Sequence, residues 1–471
     1  MRPILTLFLV AAAAGASSAQ TWDPKDQFKR RLANVEKRVA KTHLSLGRLA
    51  DGERLFAAAR HEYLLAVELD PSSEEAHKAL GRTLVDGKWV QDPRWPVYVV
   101  NDRPPEEAGE ALAKYRAKKR ISGQVSATDY EELADYAEES ELDLEARAMW
   151  EAMLRYEPTN PRAQSKLGYQ KFSGEVLSGT EVRAREAMAK RILEAPGGKP
   201  QEATSEIEEK TGQQFTKRRS EHFYFESQYT DGELRALVRA AETARALFIE
   251  SFQVPPEGEP EFLSGVIVRH QGDHRLFLEK CTDAGELERK TAEEMSTWEE
   301  FNPHRFEVWL GERPFEAMRD EVVHATVRYA FRDLTRMDET PAWLAEGVCA
   351  WIGDRVLGRA EACFAREDAR GKPSTKSTLR WKRFIREWAW EGTAPRIRDI
   401  TKAEAGELTF EMMVKAWSVV DWLMTAKRDR LYDFLARCRT GSSGKALRRA
   451  VGAKDYDELE TMWEEWVKDR R

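Results

Sequence analysis

An internal duplication sets the strongest limit on how the first half of this chain can fold. Leu69-Asp70-Pro71, Leu80-Gly81 and Gly87 return as Tyr156-Glu157-Pro158, Leu167-Gly168 and Gly174, every landmark 87 residues after its first copy. Landmarks repeated at one offset define a unit that stacks on its copy to bury a shared apolar face. Between residues 23 and 193, apolar side chains such as Phe28, Leu32, Val35 and Val39 recur every three to four positions, the spacing of one buried helical face. Residues 20–194 are therefore expected to form an all-helical repeat region. Such a region either docks a protein partner or packs as plain helix against the rest of the chain, and the residues leave both readings open.

Ahead of the repeats, Met1-Arg2-Pro3 is followed by an apolar run from Ile4 to Ala16 and by Ser17-Ser18-Ala19. One positive charge, a short apolar core and small residues at the end predict a secretory signal peptide, residues 1–19, cut after Ala19. The run is too short to span a bilayer. The expectation is an exported protein, periplasmic or extracellular, with no integral membrane segment once the signal is removed. A hydrophobic content of 41% and a mean hydropathy of -0.64 describe a well-solvated globular chain. With 75 basic and 82 acidic residues the net charge is -7, which offers no whole-chain attraction to nucleic acid or to anionic lipid.

Ala195-Pro196-Gly197-Gly198-Lys199-Pro200 and the polar stretch to Arg219 predict a linker over 195–219. Beyond it His222–Glu226 and Leu263–Val268 read as strands, and Arg305–Leu310 alternates like a third, with helical patterns between them. Residues 220–471 are accordingly expected to be α+β. All four cysteines, Cys281, Cys349, Cys363 and Cys438, fall in this half, and each can pair or remain a small buried thiol.

The chemistry concentrates in Met318-Arg319-Asp320-Glu321-Val322-Val323-His324-Ala325, part of a helical run reaching about Phe331. Residues four apart stack on one helical face, so Asp320 and His324 can converge on one point, with Glu321 beside them. Twenty-two residues after His324, Thr340-Pro341-Ala342-Trp343-Leu344-Ala345-Glu346-Gly347 predicts a second helix, begun by proline, that presents Glu346 in its first turns.

Over residues 220–471 these segments resemble the gluzincin type of zinc metallopeptidase, whose helix carries His-Glu-x-x-His and whose third ligand is a glutamate on a following helix. The closing Asp457–Trp463 is similar to that family's terminal helix, and the upstream repeats resemble tetratricopeptide-type hairpins. The resemblance implies a small mixed or antiparallel sheet with an active-site helix pair. It further implies His324 and Glu346 as zinc ligands, Glu321 as general base and Asp320 in the first ligand's place. Trp417 stands where related sequences often carry a tyrosine that could steady an oxyanion.

Asp320 changes what that site can do. Its carboxylate is shorter than an imidazole and adds negative charge beside Glu346, so a metal there polarises water less and zinc is expected to bind weakly or not at all. The leading expectation is a catalytically impaired or inactive peptidase homologue that serves as a polypeptide-binding scaffold, with the repeats recruiting a protein partner. The rival is an atypical metal-dependent peptidase with Asp320, His324 and Glu346 as ligands and Glu321 as base. Convergence of the three side chains on one point favours the rival; an arginine paired with Asp320 favours the scaffold.

Other candidates have plainer explanations. His270 and His274 are spaced like a helical metal pair, but Gly272 interrupts them and a surface turn is expected. His304 precedes a strand and is a candidate substitute ligand. Cys349 lies one turn after Glu346 and is expected to pack in the core. Trp381, Phe384, Ile385 and Trp388, with Lys382, Arg383 and Arg386 between them, predict an amphipathic helix laying an aromatic face on the domain.

Overall fold

The computed structural model describes residues 23–92, 104, 107–172, 174–253, 263–286, 289–290, 297–301, 304–309, 314–335, 340–360 and 378–469; the expected signal segment and Cys363 lie outside them. A helical N-terminal region is followed by a mixed α/β domain built on one small sheet.

The duplication is structural. Helices α1 (Pro24–Gly52), α2 (Phe56–Leu69) and α3 (Glu74–Ala79) lead into the hairpin β1 (Arg82–Val85) and β2 (Lys88–Gln91). The same order returns as α4 (Gly109–Glu139), α5 (Asp143–Tyr156), α6 (Pro161–Lys166), β3 (Gln170–Phe172) and β4 (Glu175–Leu177). Left-handed backbone recurs in register, at Arg54 and Glu141, Gly81 and Gly168, Gly87 and Gly174. The hairpins correct the all-helical expectation. Asp86-Gly87, both with positive φ, make the two-residue turn whose twist matches paired strands, so a turn signal was present beneath the helical pattern.

The main sheet has the order β5-β6-β7-β8-β10-β9. Strands β5 (Lys199–Pro200) and β6 (Thr216–Arg219) run antiparallel into β7 (Phe223–Ser227), with the short helix α7 (Gly179–Glu194) before them and α8 (Glu206–Thr211) between them. Strand β7 pairs in parallel with β8 (Leu263–Val268) across the helix α9 (Asp231–Phe252). Strand β8 then pairs in parallel with β10 (His304–Trp309), and β9 (Thr297–Phe301) closes the other edge antiparallel to β10.

The expected linker over 195–219 is therefore folded. Its Gly and Pro residues turn the chain into the sheet edge, and its charged residues are held: Lys217 is buried against Glu208, and Arg218 reaches Asp231 and the Gly198 carbonyl. The two regions also share a joint. His61 of α2 stacks on Trp390 with centroids 4.3 Å apart, and Arg116 of α4 forks onto Glu391.

Below the sheet lie α10 (Gln271–Cys281) and, on the opposite side, the helices that carry the candidate site: α11 (Phe315–Thr335), α12 (Ala342–Leu357), α13 (Thr378–Glu391), α14 (Ile397–Ile400), α15 (Phe410–Ala426), α16 (Arg428–Cys438), α17 (Ser443–Val451) and α18 (Tyr456–Asp469). Trp343, Trp381, Trp422 and Trp463 are fully buried among them and form the largest core. The aromatic stripe of α13 packs onto this core through Trp381 and Ile385, with Phe384 and Trp388 partly covered. Cys281, Cys349 and Cys438 are buried free thiols. No described helix is long and apolar enough to cross a membrane.

His274 overturns the surface-turn expectation. It sits on α10, fully buried, with Nδ1 2.6 Å from Glu307 Oε2 on β10 and its ring stacked on Trp309. Glu307 shares a row across the sheet with Val266, Glu226 and Lys217. Burial pushes the Glu307 carboxyl up to about 7, against the opposing pull of His274. A raised carboxyl favours the folded state fully below its unfolded value and loses that advantage as pH climbs through 7. Denaturant titrations of the wild type should therefore show stability falling between about pH 4.5 and 7 by up to roughly 3 kcal/mol from this group. Glu307→Gln should remove that part of the slope; an unchanged slope would assign it elsewhere.

Candidate functional site

The residues singled out in the sequence lie on two helices that face each other. Helix α11 begins after Pro314, and its Asp320, Glu321 and His324 are all buried. Helix α12 is capped at its start by Pro341, and nearly every residue from Trp343 to Gly353 is buried, as expected of a helix surrounded by others. Gly347 permits that packing: a Cβ there would stand 2.9 Å from the Ala416 carbonyl oxygen of α15. This close approach sets Glu346 across from His324.

Buried charges require partners, and here the partners are other side chains. His324 Nε2 lies 2.8 Å from Glu346 Oε2, and Arg328 Nη1 donates to Glu346 Oε1 at 3.2 Å. Asp320 Oδ2 stands 3.0 Å from Arg359 Nε, just past the end of α12. The Cys349 thiol meets the His324 carbonyl oxygen at 3.5 Å. Asp320, His324, Glu346, Cys349 and Arg359 line a shallow recess, with room for about one water molecule, together with Val323, Ala350, Gly353, Leu357, Ala360 and Met413. Glu321 is buried beside them, outside that lining.

Electrostatics follow the pairing. Burial alone favours a neutral His324, but the neighbouring Cys349 and Glu346 outweigh it and the ring's pKa stands well above the usual histidine value. Burial also pushes the Cys349 thiol up, against the opposing pull of His324. Burial would raise Glu346 in turn; His324 and Arg328 overcome it and keep the carboxyl below its ordinary value.

This donor set does not fit a zinc ion. Two ligands bound to one tetrahedral zinc sit roughly 3.3 Å apart, from metal–ligand lengths near 2.05 Å. His324 and Glu346 are instead at hydrogen-bond distance, and a guanidinium stands on each carboxylate. Among the described residues no group of three or more His, Cys, Asp and Glu is arranged to hold a metal ion.

Asp320, His324 and Glu346 thus line one recess: four-residue helical spacing anticipates the first two, and the packing of α12 on α11 brings the third. The two arginines escaped the sequence reading. Arg328 was in principle visible, one turn beyond His324 on the stripe that also holds Asp320. Arg359 was not, because a loop carries it there. Trp417 packs edge-on to Trp381 in the core, and Met413, one turn earlier, is the α15 residue that reaches the recess. His304 opens β10 opposite Phe301; its side chain lies outside the described residues. Comparison with known proteins finds no family model that matches the chain and no curated protein with significant similarity to it.

Proposed function

We propose that this is an exported, gluzincin-like protein that has given up metal chemistry and binds a polypeptide on its former peptidase face, with the tetratricopeptide-like repeats recruiting a protein partner. The observation that carries the reading is the pair Asp320–Arg359: the side chain in the first ligand's place is neutralised by a guanidinium. Its neighbour Glu346 is neutralised in the same way by His324 and Arg328. The two carboxylates that line the recess face three cationic groups, His324, Arg328 and Arg359, which offset the negative charge that would attract a dication there.

Polypeptide binding is supported by two features. The recess is lined by apolar Val323, Ala350, Leu357 and Met413 around the charged pairs, a surface that a side chain of a bound polypeptide can contact. Strand β9 stands at the edge of the sheet, and an edge strand can pair with an extended chain. The rival reading, an active peptidase with Asp320, His324 and Glu346 on a metal, draws support from their common recess but requires Arg359 to leave Asp320 and His324 to release Glu346.

The test uses the full chain and a fluorescently labelled, reduced and alkylated globular protein as an unfolded probe. Saturable binding is expected, with the probe intact after prolonged incubation and no change on adding zinc or a chelator. Chelator-sensitive cleavage would overturn the proposal in favour of the peptidase, and absence of binding would remove the scaffold role.

A further inference from the structure

We propose that Arg359 is a built-in cation holding the place of a metal ion, and that the N-terminal region positions it through Arg185; the inference rests on the gluzincin-like reading of the α11–α12 pair. Helix α12 ends at Gly358, whose φ of 70° is the left-handed conformation that stops a helix and turns the chain aside. Arg185 of α7 is packed against that glycine and donates Nη2 to its carbonyl oxygen at 2.7 Å. The left-handed backbone is what requires glycine at 358, and with no side chain there the Arg185 guanidinium packs directly on the turn.

Beyond the turn, Ala360 is buried and comes back beside Gly353, where an added Cβ would meet the Ala360 Cβ at 3.6 Å. Residues 358–360 therefore fold back along the last turns of α12, and the Arg359 side chain enters the recess to reach Asp320. A continuous set of contacts runs from the N-terminal region, through α7 and the Gly358 turn, to the position that a first metal ligand would hold.

The consequence is specific. Asp320→His alone supplies the missing imidazole but leaves the guanidinium in the recess, where it repels a dication. Removing Arg359 as well leaves His, His324 and Glu346 facing one space.

Zinc binding to the full chain is measured by competition with a chromogenic chelator, and cobalt substitution is followed by its visible absorption as a readout independent of activity. The wild type and Asp320→His are expected to hold no zinc at micromolar free metal. Asp320→His/Arg359→Ala is expected to hold roughly one ion per chain, at least about tenfold more tightly than Asp320→His, and to lose it when His324→Ala is added. Arg359→Gln, which keeps most of the side-chain volume, serves where alanine impairs folding and is read in the same way. Arg185→Ala in the Asp320→His background should raise zinc affinity part of the way by releasing the turn.

Equal zinc affinity in Asp320→His and the double variant would overturn the role of Arg359 and leave the gluzincin-like reading standing. A double variant that melts like the wild type yet binds no zinc would show that the helix pair lacks ligand geometry, and that reading would fall too. Unchanged affinity in Arg185→Ala would remove the N-terminal region from the device.

Discussion

Glu62→Ala is expected to destabilise the chain by about 3–5 kcal/mol, the scale for removing one partner from a buried charged network. Glu62 is fully buried in α2, between the two repeats. Its Oε2 lies 2.6 Å from His43 Nδ1, while Oε1 accepts from Tyr115 at 2.5 Å and faces Lys119 Nζ at 3.2 Å. Alanine leaves His43 and the Tyr115 hydroxyl in a dry core without this acceptor. Glu62→Gln keeps an acceptor but drops the charge, so its loss should be smaller.

The pH dependence carries a definite sign. Burial would raise the Glu62 carboxyl, but Lys119 and His43 overcome it and hold the group well below its ordinary value. A depressed carboxyl contributes stability that is present above about pH 4.5 and is lost as pH falls further. Urea denaturation at pH 7 and pH 4 checks both statements, and a Glu62→Ala variant within about 1 kcal/mol of the wild type would mean that water enters the cluster. Because His61 stacks on Trp390 from the same helix, this variant should also loosen the joint between the two regions.

The second large effect belongs to Lys415→Ala, also expected to cost about 3–5 kcal/mol. Lys415 is fully buried in α15, paired with Glu460 of α18, and its ammonium lies 2.8 Å from the centroid of the Trp463 ring. Removing the lysine leaves a carboxylate in the core and a void against the tryptophan. Glu460 Oε2 also accepts the Ile397 backbone N–H at 2.8 Å, so the carboxylate cannot simply turn away. Lys415→Met/Glu460→Gln should recover part of the loss, since methionine refills the volume and glutamine keeps an acceptor for Ile397. If the double variant is no more stable than Lys415→Ala, the uncompensated Glu460 carboxylate does not carry the cost.

Legibility in the sequence divides along a physical line. Where a pattern closes within a dozen residues, it was readable. The strand read at Leu263–Val268 matches β8 residue for residue, the run through Met318–Phe331 lies inside α11, and the helix announced by Pro341 begins at Ala342. The 87-residue duplication was also readable, since identical turn chemistry demands identical backbone at Gly81 and Gly168. The placement of Asp320 and His324 on one face is a property of helical geometry alone.

Where the outcome depends on which distant segments meet, it was not. Polar composition over 195–219 suggested a linker, because nothing local says that Lys217 and Arg218 will find Glu208 and Asp231 and let the strand bury. His274 looked like a turn residue, because its partner Glu307 lies 33 positions away on strand β10. Arg359 reaches Asp320 only because a left-handed glycine, held by an arginine from the repeat region, sends the chain back along α12. By itself the sequence determined the helix pair α11–α12, the central strands, the repeat and the three side chains that line the recess. Only the tertiary structure decided what neutralises them, because periodicity acts through neighbours along the chain, whereas a buried charge is matched by whatever the fold brings within a few ångströms.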